Sequence, residues 1–446
     1  MAVLPFGWAA IVRLGLVQTA LGSVVVLMTS TINRVMVVEL ALPAVVPGGL
    51  VALHYAVQVL RPRWGYGSDR TGRRTPWIVG GMAALALGGF GAAVATALAE
   101  THQAAGLALA VLSFLTVGMG AGAAGTSLLV LLATGVEARR RGAAATIVWV
   151  MMIAGFAITA PLAGHFLDPF SGARLMAVSG TVSLIAFVVA LLAVRGVEPS
   201  RVERAESEAP KRPFAQVLAR VWAEPESRRF TVFIFVAMFA YSAQELILEP
   251  FAGLVFAMSP GTTTKLAGLQ HGGVLAGMLT VAGLTMGIGG PVLGSLKMWT
   301  TLGCAGSALA LLGIAGGGLM GADFPLRVPV FALGLFNGIF AVAAIGSMMA
   351  LAGAGGEAER GTRMGVWGAA QGLAFGAGGF LGTVAVDGAR LLTPRAVDAY
   401  ASVFAGEAVL FVFAAALALR IAHAPATQGP RARRAASAFE ATLSAR

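Results

Sequence analysis

The chain has 446 residues, of which 57% are hydrophobic and only 11% charged, and its mean hydropathy is +0.83. Soluble domains carry about a quarter charged residues, so this composition excludes an ordinary water-soluble fold and points to a polytopic membrane protein. A single cysteine, Cys304, excludes a disulfide framework or a cysteine metal cluster, and 60 glycines suit helices that pack backbone to backbone in lipid.

A hydrocarbon core takes about 20 apolar residues per helix. Apolar windows fall at 14–38, 44–61, 77–98, 104–134, 143–165 and 174–194, then at 230–257, 266–292, 299–320, 327–352, 364–386 and 399–421. This is an all-α membrane protein with twelve predicted spans. The first lacks the basic flank and short core of a cleavable signal, so it is read as retained. With the N-terminus inside, 25 Lys and Arg fall on the cytoplasmic side, against six outside: Arg34, Arg174, Lys265, Arg327, Arg390 and Arg395. That asymmetry puts both termini in the cytoplasm. The net charge of +11 is then a topology signal with some attraction to anionic lipid headgroups, and no nucleic-acid partner is expected.

In the first span, Arg34 stands near the outer end, with Asn33 before it and Glu39 after. Between the second and third spans runs Gly65-Tyr-Gly67-Ser-Asp69-Arg70-Thr-Gly72-Arg73-Arg74. Every position fits G-x-x-x-D-R-x-G-R-R, the cytoplasmic signature of the major facilitator superfamily. Its physical reading is a latch. Gly65 lets helices approach, Gly72 permits a tight turn, and Asp69 is placed to pair with an Arg or face a helix N-terminus. Arg70, Arg73 and Arg74 complete the motif. Thr75-Pro76 reads as an N-cap and first-turn proline of the third span. In the fourth span, Gly120-Ala-Gly122-Ala-Ala-Gly125 fits a dinucleotide pattern, but no strand precedes it and close helix packing explains it.

Residues 195–229 form a charged, proline-punctuated linker, with an amphipathic stretch through Phe214, Val217, Leu218, Val221 and Trp222. It separates a six-helix bundle over 1–194 from a second over 230–423, and a basic tail follows over 424–446. The halves echo each other: Leu132-Ala133, Glu137-Ala138 and Arg141-Gly142 match Leu351-Ala352, Glu357-Ala358 and Arg360-Gly361, the Arg-Gly pairs lying 219 residues apart. A parallel repeat of two bundles is a transporter architecture.

The seventh span carries Tyr241, Gln244, Glu245 and Glu249. Tyr241, Glu245 and Glu249 share one face at i, i+4 spacing. Ionisable groups at membrane depth are functional candidates, and two close carboxylates would share a proton unless a cation joins them. Arg34 is expected to pair with Glu245 or Glu249; the competing reading has all three as solvated caps at the interface. Pro250 cannot bond the carbonyl of Leu246, so an acceptor is left there. No carboxylate stands in the fourth span and the tenth offers only Asn337, which weakens a proton symporter. No catalytic constellation, metal cluster or phosphate loop is legible, so an enzyme is not expected.

Four stretches narrow the assignment: Asn33-Arg34-Val-Met-Val-Val-Glu39, His54-Tyr-Ala-Val-Gln58-Val-Leu-Arg61-Pro-Arg63, Leu246-Ile-Leu-Glu249-Pro-Phe-Ala-Gly253 and Leu269-Gln270-His271-Gly-Gly273. They resemble the PucC-like or bacteriochlorophyll delivery family, a branch of the major facilitators in purple photosynthetic bacteria. The resemblance covers essentially the whole chain. It implies the major facilitator fold in a photosynthetic inner membrane, and assembly of light-harvesting complexes with bacteriochlorophyll, and in some versions carotenoid, as cargo. No redox cofactor is implied. Because the loop after the second span keeps the general facilitator motif, the chain looks most like a branch associated with bacteriochlorophyll synthesis genes. A neutral imidazole would suit the magnesium of such a pigment. The candidates are His271 and His54, 217 residues apart and so nearly equivalent in the repeat, with Gln270, Gln58, Gly272 and Gly273 beside them; Gly272-Gly273 would leave room for a flat macrocycle. For either histidine alone, a hydrogen bond within the helix bundle is the commoner outcome. Two other functions stay open: an unpigmented scaffold for bacteriochlorophyll synthase and antenna subunits, and an alternating-access transporter of an amphipathic solute.

Overall fold

The computed structural model describes residues 6–57, 60, 73–137, 140–198, 222–284, 295–321, 323–354 and 357–420. They are all-helical. In chain order the helices are α1 Trp8–Val38, α2 Val45–Val57, α3 Thr75–Ala99, α4 Gln103–Gly135, α5 Arg141–Phe166 and α6 Gly172–Val194. The second set is α7 Pro225–Phe256, α8 Pro260–Gly283, α9 Leu296–Met320, α10 Arg327–Ala354, α11 Glu357–Leu392 and α12 Ala396–Arg420. Among the described residues ten of these are long and apolar enough to cross a membrane. The exceptions are α2, which is apolar but shorter, and α8, whose threonines, Lys265, Gln270 and His271 lower its hydropathy. The linker expected over 195–229 ends earlier than its charge suggested. Pro225 opens α7 at a first-turn position, and Glu226, Arg228 and Arg229 ride on a helical extension that an apolar window does not register.

Packing follows the repeat. In the first half α1 lies on α5 and α6, α3 on α4 and α6, and α2 on α4; in the second, α7 lies on α11 and α12, α9 on α10 and α12, and α8 on α10. Besides the contacts of α1 with α7 and α8, the halves meet along two seams, α2 with α11 and α5 with α8, which exchange when the halves are exchanged. Small residues set these distances. A Cβ on Gly334 would lie 2.0 Å from the Gln270 carbonyl oxygen, and one on Gly277 2.1 Å from that of Leu335. Helices α8 and α10 therefore touch backbone to backbone, as lipid-buried helices do where no hydrophobic drive holds them. Gly120 approaches Leu85 and the Gly81 carbonyl in the same way, so it serves packing, whereas nothing lies within 4 Å of a Cβ on Gly125.

The repeat also has a measurable register. Leu42 N–H bonds the Met36 carbonyl at 3.0 Å and Met258 N–H bonds that of Ala252 at 3.3 Å, each turn passing through a left-handed alanine, Ala41 or Ala257, at φ 51°. These pairs lie 216 residues apart. So do the positions where α2 meets α4 and α8 meets α10, with Gly118 against the His54 carbonyl and Gly334 against that of Gln270. In this register His54 corresponds to Gln270, and His271 to Tyr55. The expected equivalence of the two histidines is off by one residue, which on a helix turns a side chain by about 100°.

Near the latch motif, Arg73 and Arg74 are described, whereas Gly65, Asp69, Arg70 and Gly72 lie outside the described residues, as do Gln58 and most of the amphipathic stretch after Phe214. The start of α3 differs from expectation. Thr75 is already helical and the N-cap position belongs to Arg74, without a capping side chain of its own. The cap comes from beyond the end of α6: Glu198 accepts the N–H of Arg74 at 2.6 Å and of Thr75 at 2.8 Å. Burial alone would raise the Glu198 carboxyl, but the Thr75 hydroxyl, these two N–H groups and the Arg74 charge outweigh it and hold the group below its ordinary value. Such a group stabilises the fold above its unfolded pKa, and the contribution fades as pH falls through the lowered folded value. Glu198→Gln is therefore expected to cost about 1 kcal/mol near neutral pH. Thermal melts in detergent across a pH series should show the gap to wild type closing in acid. A gap that stays constant would contradict the assignment.

Candidate functional site

The crossing of α1 and α7 carries a cluster of buried polar groups. Residues Leu27–Ile32 of α1 widen into a π-helical turn, a feature often found at functional sites. Below it, Asn33 Nδ2 donates to the Leu246 carbonyl at 2.7 Å, the acceptor that Pro250 leaves unpaired. Thr31 and Thr264 hydroxyls meet at 2.9 Å, joining α1 to α8.

Arg34 is buried, but its ion pair differs from the one expected. The guanidinium pairs with Glu39 and donates to the Met258 carbonyl at 2.6 Å. Glu39 wins because it lies five residues on, where the chain leaves α1 and brings its carboxylate back over the guanidinium. Gly253 makes the room: a Cβ there would lie 3.1 Å from Arg34 Nε and Nη2. Glu249 sits next to this group, with Arg34, Ser30 and Thr263 around its carboxylate and Oε2 lacking a hydrogen-bond partner. Glu245 looks elsewhere. It bonds Tyr241 one turn before it and lines a cavity of about 10 Å³, room for roughly one water. Thr29, Val51, Tyr55, Ser242, Leu246, Phe375 and Gly379 complete the lining. The Phe375 ring centroid is 5.9 Å from that of Tyr55 and 5.6 Å from that of Tyr241. The two carboxylates thus belong to separate environments rather than to one shared-proton pair. Gln244 is wholly buried with neither side-chain atom paired.

His271 lies on the α5–α8 seam. Its ring stands edge-on to Phe156 of α5 at 4.9 Å, and Nδ1 is 2.8 Å from the Ala267 carbonyl. A carbonyl only accepts, so Nδ1 carries a proton, and in the neutral ring Nε2 is then the nitrogen with the lone pair. Gln270 is buried beside it. The glycines divide: nothing lies within 4 Å of a Cβ on Gly272, whereas one on Gly273 would lie 2.5 Å from the Phe331 carbonyl oxygen. Gly273 is therefore filled by α10 and leaves no room for a macrocycle. His54, buried on α2 against α4, stacks edge-on with Tyr55 at 5.0 Å. Asn337 serves packing, its Oδ1 accepting from Ser307 of α9 at 2.8 Å.

Four acidic residues escaped the sequence reading. Glu198 lies in what read as linker, and Asp168 and Asp387 fall just past the apolar windows, so no intramembrane signal marked them. Glu407 was within reach, a carboxyl midway along α12. It is buried, with neither oxygen paired.

Comparisons with known proteins place the chain in a family and agree with its fold. The family profile described as PUCC protein matches residues 31–425. The chain is 54% identical to the bacteriochlorophyll synthase 44.5 kDa chain of Rhodobacter capsulatus, over 92% of this chain and 95% of that one. It is 29% identical to Protein PucC of Rhodobacter capsulatus, over 92% and 91%. A solved bacterial homologue of the human lysosomal transporter Spinster, inward-facing and unoccupied, superposes with a TM-score of 0.63 at 14% identity, covering 92% of this chain and 96% of that one. The fold is that of the major facilitators, in a multi-pass membrane protein.

Proposed function

The chain belongs to the PucC family, and on that premise we propose that it is a non-enzymatic assembly factor of the photosynthetic inner membrane. In this reading it binds bacteriochlorophyll, with carotenoid as a second cargo, and delivers it to light-harvesting polypeptides. The observation that carries the reading, beyond the family, is His271. A buried neutral imidazole with Nδ1–H committed to a backbone carbonyl presents a fixed Nε2 lone pair, the arrangement that orients a metal-ligating histidine. In a bound pigment, that nitrogen would face the magnesium. Gly272 leaves open space beside it.

The test is made on protein purified in mild detergent from a photosynthetically grown host. Near-stoichiometric bacteriochlorophyll is expected in the wild type, and His271→Ala should lower it at least several-fold while leaving protein yield and melting temperature in place. Pigment content unchanged in His271→Ala would remove that residue from the site. A colourless wild type that brings down antenna polypeptides or bacteriochlorophyll synthase would favour the scaffold reading. The synthase part of that second reading rests on the name of the relative at 54% identity.

A further inference from the structure

We propose that Asp168 and Asp387 form a two-point latch that holds the halves shut on the face carrying the α1–α2 and α7–α8 turns, and that the protein opens there by releasing both. Asp387, in α11, accepts the N–H of Ala44 through Oδ1 at 3.1 Å and of Val45 through Oδ2 at 2.7 Å. Those are the unpaired donors at the start of α2, in the other half. Asp168, just beyond α5, does the corresponding work at the start of α8. Its Oδ1 accepts from the Ser259 hydroxyl at 2.7 Å, and Oδ2 lies 3.7 Å from Lys265 Nζ. Ser259 is itself the N-cap of α8, accepting the Thr262 N–H at 3.2 Å. One carboxylate from each half thus closes on the opening turn of the matching helix in the other, one at each seam.

Three features make this a latch rather than permanent packing. First, the two helices it grips are equivalent in the 216-residue register, and each follows a turn through a left-handed alanine. Both contacts therefore break in one relative rotation of the halves, the motion open to a fold of two repeats. Second, the ions are partly wet. The Asp168 side chain is 31% exposed and that of Lys265 42%, so separating them costs little once water reaches them. Third, the backbone of Asp168 is held in place, Arg174 Nη1 donating to its carbonyl at 2.6 Å, so the carboxylate is positioned independently of its partner. The Arg34 bond to the Met258 carbonyl lies on the same face and must part in the same motion.

Spin labels on the full chain test this, in a Cys304→Ala background. Ala41→Cys with Leu391→Cys spans the α2–α11 seam, and Phe166→Cys with Ala257→Cys spans the α5–α8 seam. Wild type should give one short distance at each pair. Asp387→Ala or Asp168→Ala should add a longer population at both seams, and the double variant should populate it more than either alone. Lys265→Met, which removes only the ion pair, should shift both seams in the same direction by less. Should the alanine variants lose their cooperative melt, Asp168→Asn and Asp387→Asn replace them with the same expectation. Wild-type distances in the double variant, or widening confined to the seam that carries the substitution, would overturn the proposal.

Discussion

Arg34→Met is expected to destabilise the protein by about 3 kcal/mol, the lower end of the range for breaking a buried ion pair from one side. The guanidinium is 3% exposed, and its loss removes the partner of Glu39, the bond to Met258 and the positive charge beside Glu249. Glu39 is 35% exposed and can recover water, which holds the effect to that lower end. Thermal unfolding in detergent is the measurement. Pairing Arg34→Met with Glu39→Gln should recover part of the loss, with a coupling above about 0.5 kcal/mol. A single variant within about 0.5 kcal/mol of wild type would show that the pair is solvated in practice.

Gly334→Leu should do as much damage by a different route. The added Cβ alone would stand 2.0 Å from the Gln270 carbonyl oxygen, and a backbone atom cannot turn aside as a side-chain tip can. Helices α8 and α10 must separate, at about 3 kcal/mol, the upper part of the usual range for overpacking. If His271 holds pigment as proposed, bound pigment should fall together with stability because Gln270 precedes it, whereas His271→Ala should lower pigment alone. Gly316→Leu is the control: nothing lies within 4 Å of a Cβ there, and its melt should stay within about 0.5 kcal/mol of wild type. Equal melts for the two glycine variants would refute backbone contact as the force setting the α8–α10 distance.

Much of the architecture is legible because membrane helices obey rules that act on single segments. Each apolar window falls on a helix, ten of them long and apolar enough to cross a membrane among the described residues, and Pro250 marks the open Leu246 carbonyl. Pairings are less legible. Depth alone matches Arg34 with Glu245 or Glu249, yet depth does not specify which groups share an azimuth, and a turn just past α1 brings Glu39 closer. Residue count matches His54 with His271, whereas the packing register pairs them with Gln270 and Tyr55.

The sequence alone therefore determined the membrane class, the order of the helices, the two-half repeat and the family. Each is written in local composition or in motifs whose members are chain neighbours. Only the tertiary structure decided that Asn33 would satisfy Leu246, that Glu198 would cap α3, and that Asp168 and Asp387 would each close on a helix of the opposite half. Those contacts join residues more than 90 positions apart. Their geometry depends on how closely glycine faces let helices approach and how far each is rotated about its axis, and neither quantity is fixed until all the helices pack together.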